Sequence, residues 1–425
     1  MASFTAEVFQ NEFLAEGATD VHAIVRVTAS GAGAASAGSL EAAEVIMIDT
    51  SGSMAGASFA AAQEAAKVAL DVIVDGTWFA IVGGSHVANR VFPYPNAPSA
   101  MVRMEPAARA EAKRAIGMMR AGGGTAMSTW LQLAGQLFTT VPHGARRHAI
   151  LLTDGKNESE PKSQLTATLE RLQGQFRCDA RGVGSRYVVA EVREIASALM
   201  GSDELIRDPS QIAASFRQML GESMARGVAE AQLRVWAPQG SQLLFVKQVS
   251  PKLDDLTPRK TVVNPLTSGF PTGSWGDESR EYHVAVRVGS KPVGAEQLAA
   301  RVQIVTGDQV QASGLVKAMW SSDSNLTARI NPEVAHYTGQ AELAEAIQDG
   351  LAAKAAGDEA TATVKLGRAV QLAKETGNDE ATSRLRRVVE IENEEQGTVR
   401  LKRNTDKLDE MALDTASTKT TRVRK

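Results

Sequence analysis

Early in the chain, apolar residues take every second position: Val21, Ala23, Val25 and Val27 alternate with His22, Ile24, Arg26 and Thr28. That period of two belongs to a strand with one buried face. A run of small residues, 30–39, follows as a linker. A lone strand is not stable, so residues 1–40 are expected to be N-terminal strands that pair with a sheet formed elsewhere. Over 41–227 short apolar runs alternate with helical patterns. Strands are predicted at 44–49, 78–82, 89–92, 147–153, 177–183 and 204–207. Helices are predicted at 57–74, 105–120, 128–140 (capped by Ser128), 163–173, 188–199 and 209–224, the last with Ile212, Phe216, Met219 and Leu220 at helical spacing. This alternation predicts an α/β fold around a mostly parallel, doubly wound sheet.

Residues 228–332 change period. Strands are predicted at 232–236, 243–249, 281–288, 300–305 and 309–317, with breaks at 238–240, Pro258 and the glycine-rich 269–276. Tyr282, Val284, Val286 and Val288 alternate cleanly, and few helical patterns intervene, so an antiparallel β-sandwich is expected. If the 1–40 strands pair there, the α/β unit is inserted in the sandwich; otherwise it is followed by it. Residues 335–400 form a C-terminal helical region, a hairpin or bundle, with breaks at Gly357-Asp358 and Gly377-Asn378 and a third helix over 379–395. The pattern around Gly350, Ala353, Gly357 and Ala369 faintly resembles one tetratricopeptide unit, but such repeats stack in threes. On the third helix Arg384, Arg386 and Arg387 face Glu390, Glu392, Glu394 and Glu395 as a solvated charged surface. Residues 401–425 hold few core-forming residues and are expected to be a basic, disordered tail.

Composition narrows the function. A net charge of -3 gives no general signal for nucleic acid or membrane, and no apolar run reaches a membrane span. The single cysteine, Cys178, excludes an internal disulfide framework and is read as a small core residue. The six histidines show no paired spacing for a histidine metal site, and His148 is placed at the surface start of a strand. The start, Met1 to Val8, lacks a basic region followed by an apolar one, so a cytoplasmic protein is expected.

The candidate chemistry lies where the strand 44–49 ends. Asp49, Ser51 and Ser53 follow its apolar run at alternate positions. In open α/β sheets that edge is where ligands bind. Three oxygen side chains suit a hard cation such as Mg²⁺, although Asp, Ser and Gly are also ordinary turn residues. Gly122-Gly123-Gly124-Thr125 precedes a predicted helix, and Thr153-Asp154-Gly155 ends another buried strand at the same edge. In a parallel sheet these three segments converge.

Taken together, Asp49-x-Ser51-x-Ser53, Thr125 and Thr153-Asp154-Gly155 over residues 44–226 resemble a von Willebrand factor A domain with its metal-ion-dependent adhesion site, of the bacterial cytoplasmic type. The resemblance implies a Rossmann-like fold with Mg²⁺ (Ca²⁺ or Mn²⁺ as alternatives) at the top of the sheet. It implies that Ser51, Ser53 and Thr125 bind the ion directly and that Asp49 and Asp154 act through waters. An Asp or Glu of a protein partner would fill the open position. Sandwich strands on both sides of the A domain resemble the hybrid-domain arrangement around some adhesive A domains.

The end of the chain adds candidate phosphosites, Thr418, Thr420 and Thr421, beside Lys419, Arg422, Arg424 and Lys425. A phosphate there adds about -1.5 to -2 charge, a handle for an arginine-lined reader. A Ser/Thr kinase and a forkhead-associated domain are the partners this suggests. The resulting expectation is a non-enzymatic, Mg²⁺-dependent interaction scaffold within Ser/Thr phosphorylation signalling. The alternative is an adaptor for an AAA-type ATPase or a metal chelatase. The chain has no phosphate-binding G-x-x-x-x-G-K-[ST] loop and no G-x-S-x-G elbow, which argues against an ATPase or hydrolase of its own.

Overall fold

The computed structural model describes residues 2–33 and 41–423, so most of the linker 30–39 and the final Arg424 and Lys425 lie outside the described residues. The chain divides into two units. One comprises residues 31–230 with 273–276; the other comprises residues 3–30, 231–272 and 277–425. In chain order the first is therefore entered from the second and returns to it.

The first unit is built on a seven-stranded sheet. Its order is Asp203–Ile206, Arg177–Val183, Arg146–Thr153, Ala42–Asp49, Trp78–Gly84 and Ala88–Phe92, with Val102–Arg103 also paired to Trp78–Gly84. The first five run parallel, and the edge beyond Trp78–Gly84 is antiparallel. Every residue of Ala42–Asp49 is buried, as a central parallel strand covered on both faces must be. On one face Ile46, Ile48, Ile81, Ile150 and Leu152 pack against Leu70, Ile116, Phe216 and Leu220 of the helices Ala57–Val72, Pro106–Met118 and Ile212–Met224. The strand Ala42–Asp49 lies between its immediate successor and Arg146–Thr153, so the winding reverses there. Ligand crevices form at the carboxyl ends of strands at such a reversal.

The second unit holds two large sheets. One runs Ser3–Gln10, Asp20–Ser30, Glu278–Arg287, Gln242–Ser250 and Asp254–Asp255. The N-terminal strand Asp20–Ser30 pairs antiparallel with Glu278–Arg287, with Val25 opposite Tyr282. The other runs Thr261–Asn264, Thr267–Trp275, Val228–Trp236, Glu296–Thr306, Gln309–Trp320 and Phe13–Leu14. Its last pair is parallel, a departure from the purely antiparallel expectation. Thr267–Trp275 corrects the reading of 269–276 as a break. Gly269 has no room for a Cβ, which would meet the Gln232 side chain at 2.5 Å, so the glycine serves strand packing there.

The helices Pro332–Ala355, Glu359–Glu375 and Asp379–Val388 follow, with Leu343, Ile347, Leu366, Val370 and Leu385 in one core. The third helix does not reach 395. Val389–Asn393 and Thr398–Leu401 form a hairpin instead, in which Val389 and Ile391 oppose Leu401 and Val399. Two β-branched residues at alternate positions and Gly397 at φ 64° are strand and turn signals that override the charge pattern. Arg386 consequently pairs with Glu394 at 2.5 Å within the hairpin region and not along one helix.

The terminal segment is the largest correction. Its described residues, 401–423, are ordered: Lys407–Ala416 is a helix capped by Asp406, with Met411, Ala412 and Leu413 buried. Beyond it Leu253 N donates to Thr418 O at 2.8 Å, and Thr420 Oγ1 donates to Val249 O at 2.6 Å. Few apolar residues suffice because polar ones are buried with them: Thr415, Ser417 and Thr418 are all buried. No helix among the described residues is long and apolar enough to cross a membrane.

Candidate metal centre

Two strand ends and one glycine loop make the site. Asp49 ends Ala42–Asp49 and is fully buried; Ser51 precedes the short turn Gly52–Met54. Ser51 N donates to Asp49 Oδ1 at 2.7 Å, and Thr153 Oγ1 donates to Asp49 Oδ2 at 2.6 Å. Burial pushes the Asp49 carboxyl above its ordinary range; the hydrogen bonds from Ser51 and Thr153 oppose this, and Asp154 nearby adds to it. Ser51 Oγ and Ser53 Oγ lie 2.9 Å apart, and Ser53 Oγ donates to Asp154 Oδ1 at 2.6 Å.

The glycine loop is stitched to the first turn by backbone. Gly122 N donates to Thr50 O at 2.6 Å, and Gly52 N donates to Gly123 O at 2.8 Å. Gly123 has φ 88° and faces the His86 ring, so a side chain there is excluded twice. These contacts bring Thr125 against the two strand ends. Gly155 reports the convergence: a Cβ built on it would lie 3.0 Å from Ser53 Oγ, 3.1 Å from Thr125 Oγ1 and 3.7 Å from Asp49 Oδ2. Asp49, Ser51, Ser53, Thr125 and Asp154 are thus one cluster of oxygens. Among the described residues no group of three or more His, Cys, Asp or Glu side chains is placed to hold a metal ion, so a cation here would rest on hydroxyls as well as carboxylates. An all-oxygen donor set of this kind fits a hard divalent cation.

Gly155→Ala tests the cradle. Gly155 does not have a positive φ, so alanine is tolerated by the backbone. We expect unfolding free energy to change by about 1 kcal/mol or less. Divalent-cation affinity should fall at least ~10-fold by calorimetry, because a methyl at the point of convergence keeps the oxygens from a shared ion. Unchanged affinity would place the cation elsewhere.

Four further residues support the cluster, and spacing does not identify them. Ser159 brackets Thr125: its Oγ accepts from Thr125 N at 3.0 Å and its N donates to Thr125 O at 2.9 Å. Asn157 Oδ1 accepts from Met127 N, and Glu160 accepts from both the backbone and the hydroxyl of Ser128. The helix Met127–Phe138 is therefore capped by this distant loop, and Ser128 is not its cap. Asn157, Ser159 and Glu160 follow the Thr153-Asp154-Gly155 motif in a polar run whose only sequence signal is turn composition. Arg186 is the fourth. Its Nη2 donates to Asp154 Oδ2 at 2.5 Å and to Ser53 O at 2.5 Å.

Comparisons with known proteins agree with this architecture. A family profile described as von Willebrand factor type A domain matches residues 43–204, and one described as von Willebrand factor type A C-terminal domain matches residues 371–417. A solved structure titled von Willebrand factor type A from Catenulispora acidiphila is 46% identical, with a TM-score of 0.93, covering 99% of this chain and 97% of its own. The ArnB paralog VWA2 from Sulfolobus acidocaldarius shares the fold, with a TM-score of 0.61 at 15% identity over 98% of each chain. The uncharacterized protein sll0103 of Synechocystis sp. is 26% identical over 217 residues, 50% of this chain; the chain spans about half (49%) of the length of that curated relative. The chain belongs to the von Willebrand factor type A family.

Proposed function

We propose that this protein is a non-enzymatic binding module in which Asp49, Ser51, Ser53, Thr125 and Asp154 hold a divalent cation, Mg²⁺ first, to capture an acidic side chain of a protein partner. The observation that carries the reading is the convergence of the Ser53, Thr125 and Asp49 oxygens on one point beside Gly155. When bound, Mg²⁺ offers an open coordination position to an incoming carboxylate oxygen. The residues of the chain do the rest. Thr153 and Ser51 N–H orient Asp49. Ser159 fixes Thr125. Ser53 Oγ donates a hydrogen bond to Asp154 Oδ1, which fixes the hydroxyl oxygen within the cluster. Asp154 has one oxygen engaged by Ser53 and the other by Arg186, an arrangement that suits a positioning group better than a general base.

The second unit is read as a β-sandwich. Gly314 of Gln309–Trp320 supports that: a Cβ there would lie 2.6 Å from Val8 Cγ2 of the other sheet. A cytoplasmic bacterial scaffold is the setting we favour. A role in Ser/Thr phosphorylation, with a forkhead-associated reader, requires the terminal segment to leave its seat. Thr418 is buried, Thr420 Oγ1 is bonded to Val249 O, and Thr421 Oγ1 accepts from Gln340 at 3.0 Å. A phosphate on Thr418 would bury an uncompensated charge and so would expel the segment.

The test is calorimetric titration of Mg²⁺, Mn²⁺ and Ca²⁺ into wild type and Asp49→Ala, followed by partner recovery from the native cell with Mg²⁺ or chelator. We expect binding by wild type, loss of about 10–100-fold in Asp49→Ala, and partners released by chelator and by the substitution alike. If Asp49→Ala keeps every Mg²⁺-dependent partner, the reading fails.

A further inference from the structure

The loop that follows Arg177–Val183 delivers a cation to the site from within the chain. The loop is anchored on both sides of Arg186. Gly184 N donates to Ile206 O at 2.9 Å, and the buried Tyr187 ring lies over Gly182, where a Cβ would come within 2.1 Å of it. The Arg186 side chain is 59% exposed, while Asp154 beneath it is buried. Its Nη2 is shared between the Asp154 carboxylate, a member of the oxygen cluster, and the main-chain carbonyl of Ser53.

Counting formal charges gives the consequence. Asp49 and Asp154 with Arg186 leave one net negative charge. Adding a divalent cation makes the assembly positive by one, and one carboxylate from outside makes it neutral. Without Arg186 the cation alone would neutralise the site, and an outside carboxylate would leave it negative. We infer that Arg186 is a positioning residue that weakens cation binding at this site and, in return, strengthens the hold of the loaded site on a carboxylate. The inference rests on the metal reading above.

Calorimetry with Mn²⁺ on the full chain, with and without acetate, tests it. Arg186→Gln should bind Mn²⁺ about tenfold more tightly than wild type, since it removes a positive charge 2.5 Å from Asp154, one of the groups that would hold the ion. Arg186→Lys, which keeps the charge, should stay near wild type. Acetate should raise apparent Mn²⁺ affinity in wild type more than in Arg186→Gln, because a ligand preferring the loaded state stabilises it. Equal or weaker Mn²⁺ affinity in Arg186→Gln overturns the inference, as does Arg186→Lys behaving like Arg186→Gln. A wild type that binds no cation overturns the metal reading instead. Melting curves in chelator separate either result from misfolding of a variant.

Discussion

His148→Leu should destabilise the α/β unit by about 3–5 kcal/mol, read from urea unfolding, although His148 lies at the end of its strand remote from the oxygen cluster. The sequence places this histidine at the surface, beside Arg146 and Arg147. In the structure it is 1% exposed and bonded at both ring nitrogens. Nδ1 meets Glu44 Oε2 at 2.6 Å, and Nε2 meets Asp179 Oδ2 at 2.9 Å. Glu44 and Asp179 lie on the strands either side, so three adjacent strands are tied by one buried ion triad. It extends further: Ser223 Oγ of the last helix donates to Glu44 Oε1 at 2.8 Å, and Asp179 Oδ1 accepts from Ser202 N at 2.6 Å and Arg177 at 3.0 Å. Leucine removes the central cation and leaves Glu44 and Asp179 buried without it. Because the penalty is the uncompensated charge, adding Glu44→Leu to His148→Leu should cost no more than His148→Leu alone. A double variant that is worse by the sum of two independent losses would refute the triad.

The same triad sets a pH dependence. Burial alone would push His148 towards the neutral form; the Glu44 charge and the hydrogen bond to Asp179 outweigh it, and the net pKa is raised. A raised folded value means that its stabilisation is fully present below the unfolded pKa of about 6.5 and is lost as pH rises through the folded value. Asp179 runs the other way. Burial pushes it up, but the Arg177 charge and the His148 hydrogen bond hold it well below the usual range. Its stabilisation is present above about pH 4 and is lost as pH falls through the lowered value. Wild type should therefore lose stability on the alkaline side of about pH 6.5, and His148→Leu should lack that slope. Parallel curves would remove His148 from the account.

What was legible in the sequence follows from how local each signal is. Asp49, Ser51 and Ser53 are spaced along one turn, and Thr125 and Asp154 stand next to glycines at strand and loop ends. Each segment announces its own position on the sheet, and a parallel topology then superposes them. Arg186 and Ser159 reach the cluster, and Glu160 the helix Met127–Phe138, only through contacts 32 to 133 residues apart in the chain, so no spacing reveals them. His148 was misplaced for a related reason. Its charge suggested exposure, and the two carboxylates that make its burial tolerable stand on other strands. Thr267–Trp275 was hidden by Pro271 and two glycines, residues that usually end strands; here Gly269 lets the Gln232 side chain approach, and Gly273 takes a φ of 71°.

The terminal segment gives the sharpest contrast between composition and packing. A disordered tail could be removed without effect, whereas ending the chain at Thr405 should destabilise the second unit by at least ~3 kcal/mol. The argument begins with Leu413, which is fully buried among Leu343, Ile347, Leu385 and Val388. Leu413→Ala alone should cost about 2–5 kcal/mol, the range for a leucine deleted from a packed core. Met411 and Ala412 add buried area, and Glu410 Oε1 holds Lys354 Nζ at 2.6 Å, a partly exposed pair that contributes less. The truncation also strips acceptors and donors from elsewhere in the same unit. Leu253 N loses Thr418 O, His336 loses Thr421 O at 2.7 Å, and Gln340 loses Thr421 Oγ1. Urea unfolding gives the free energy, and hydrogen exchange at Leu385 and Val388 locates the loss. Protection there that survives truncation would return the segment to a tail. Loss of protection with Mg²⁺ affinity intact would show that the segment holds the second unit together and takes no part in the metal centre.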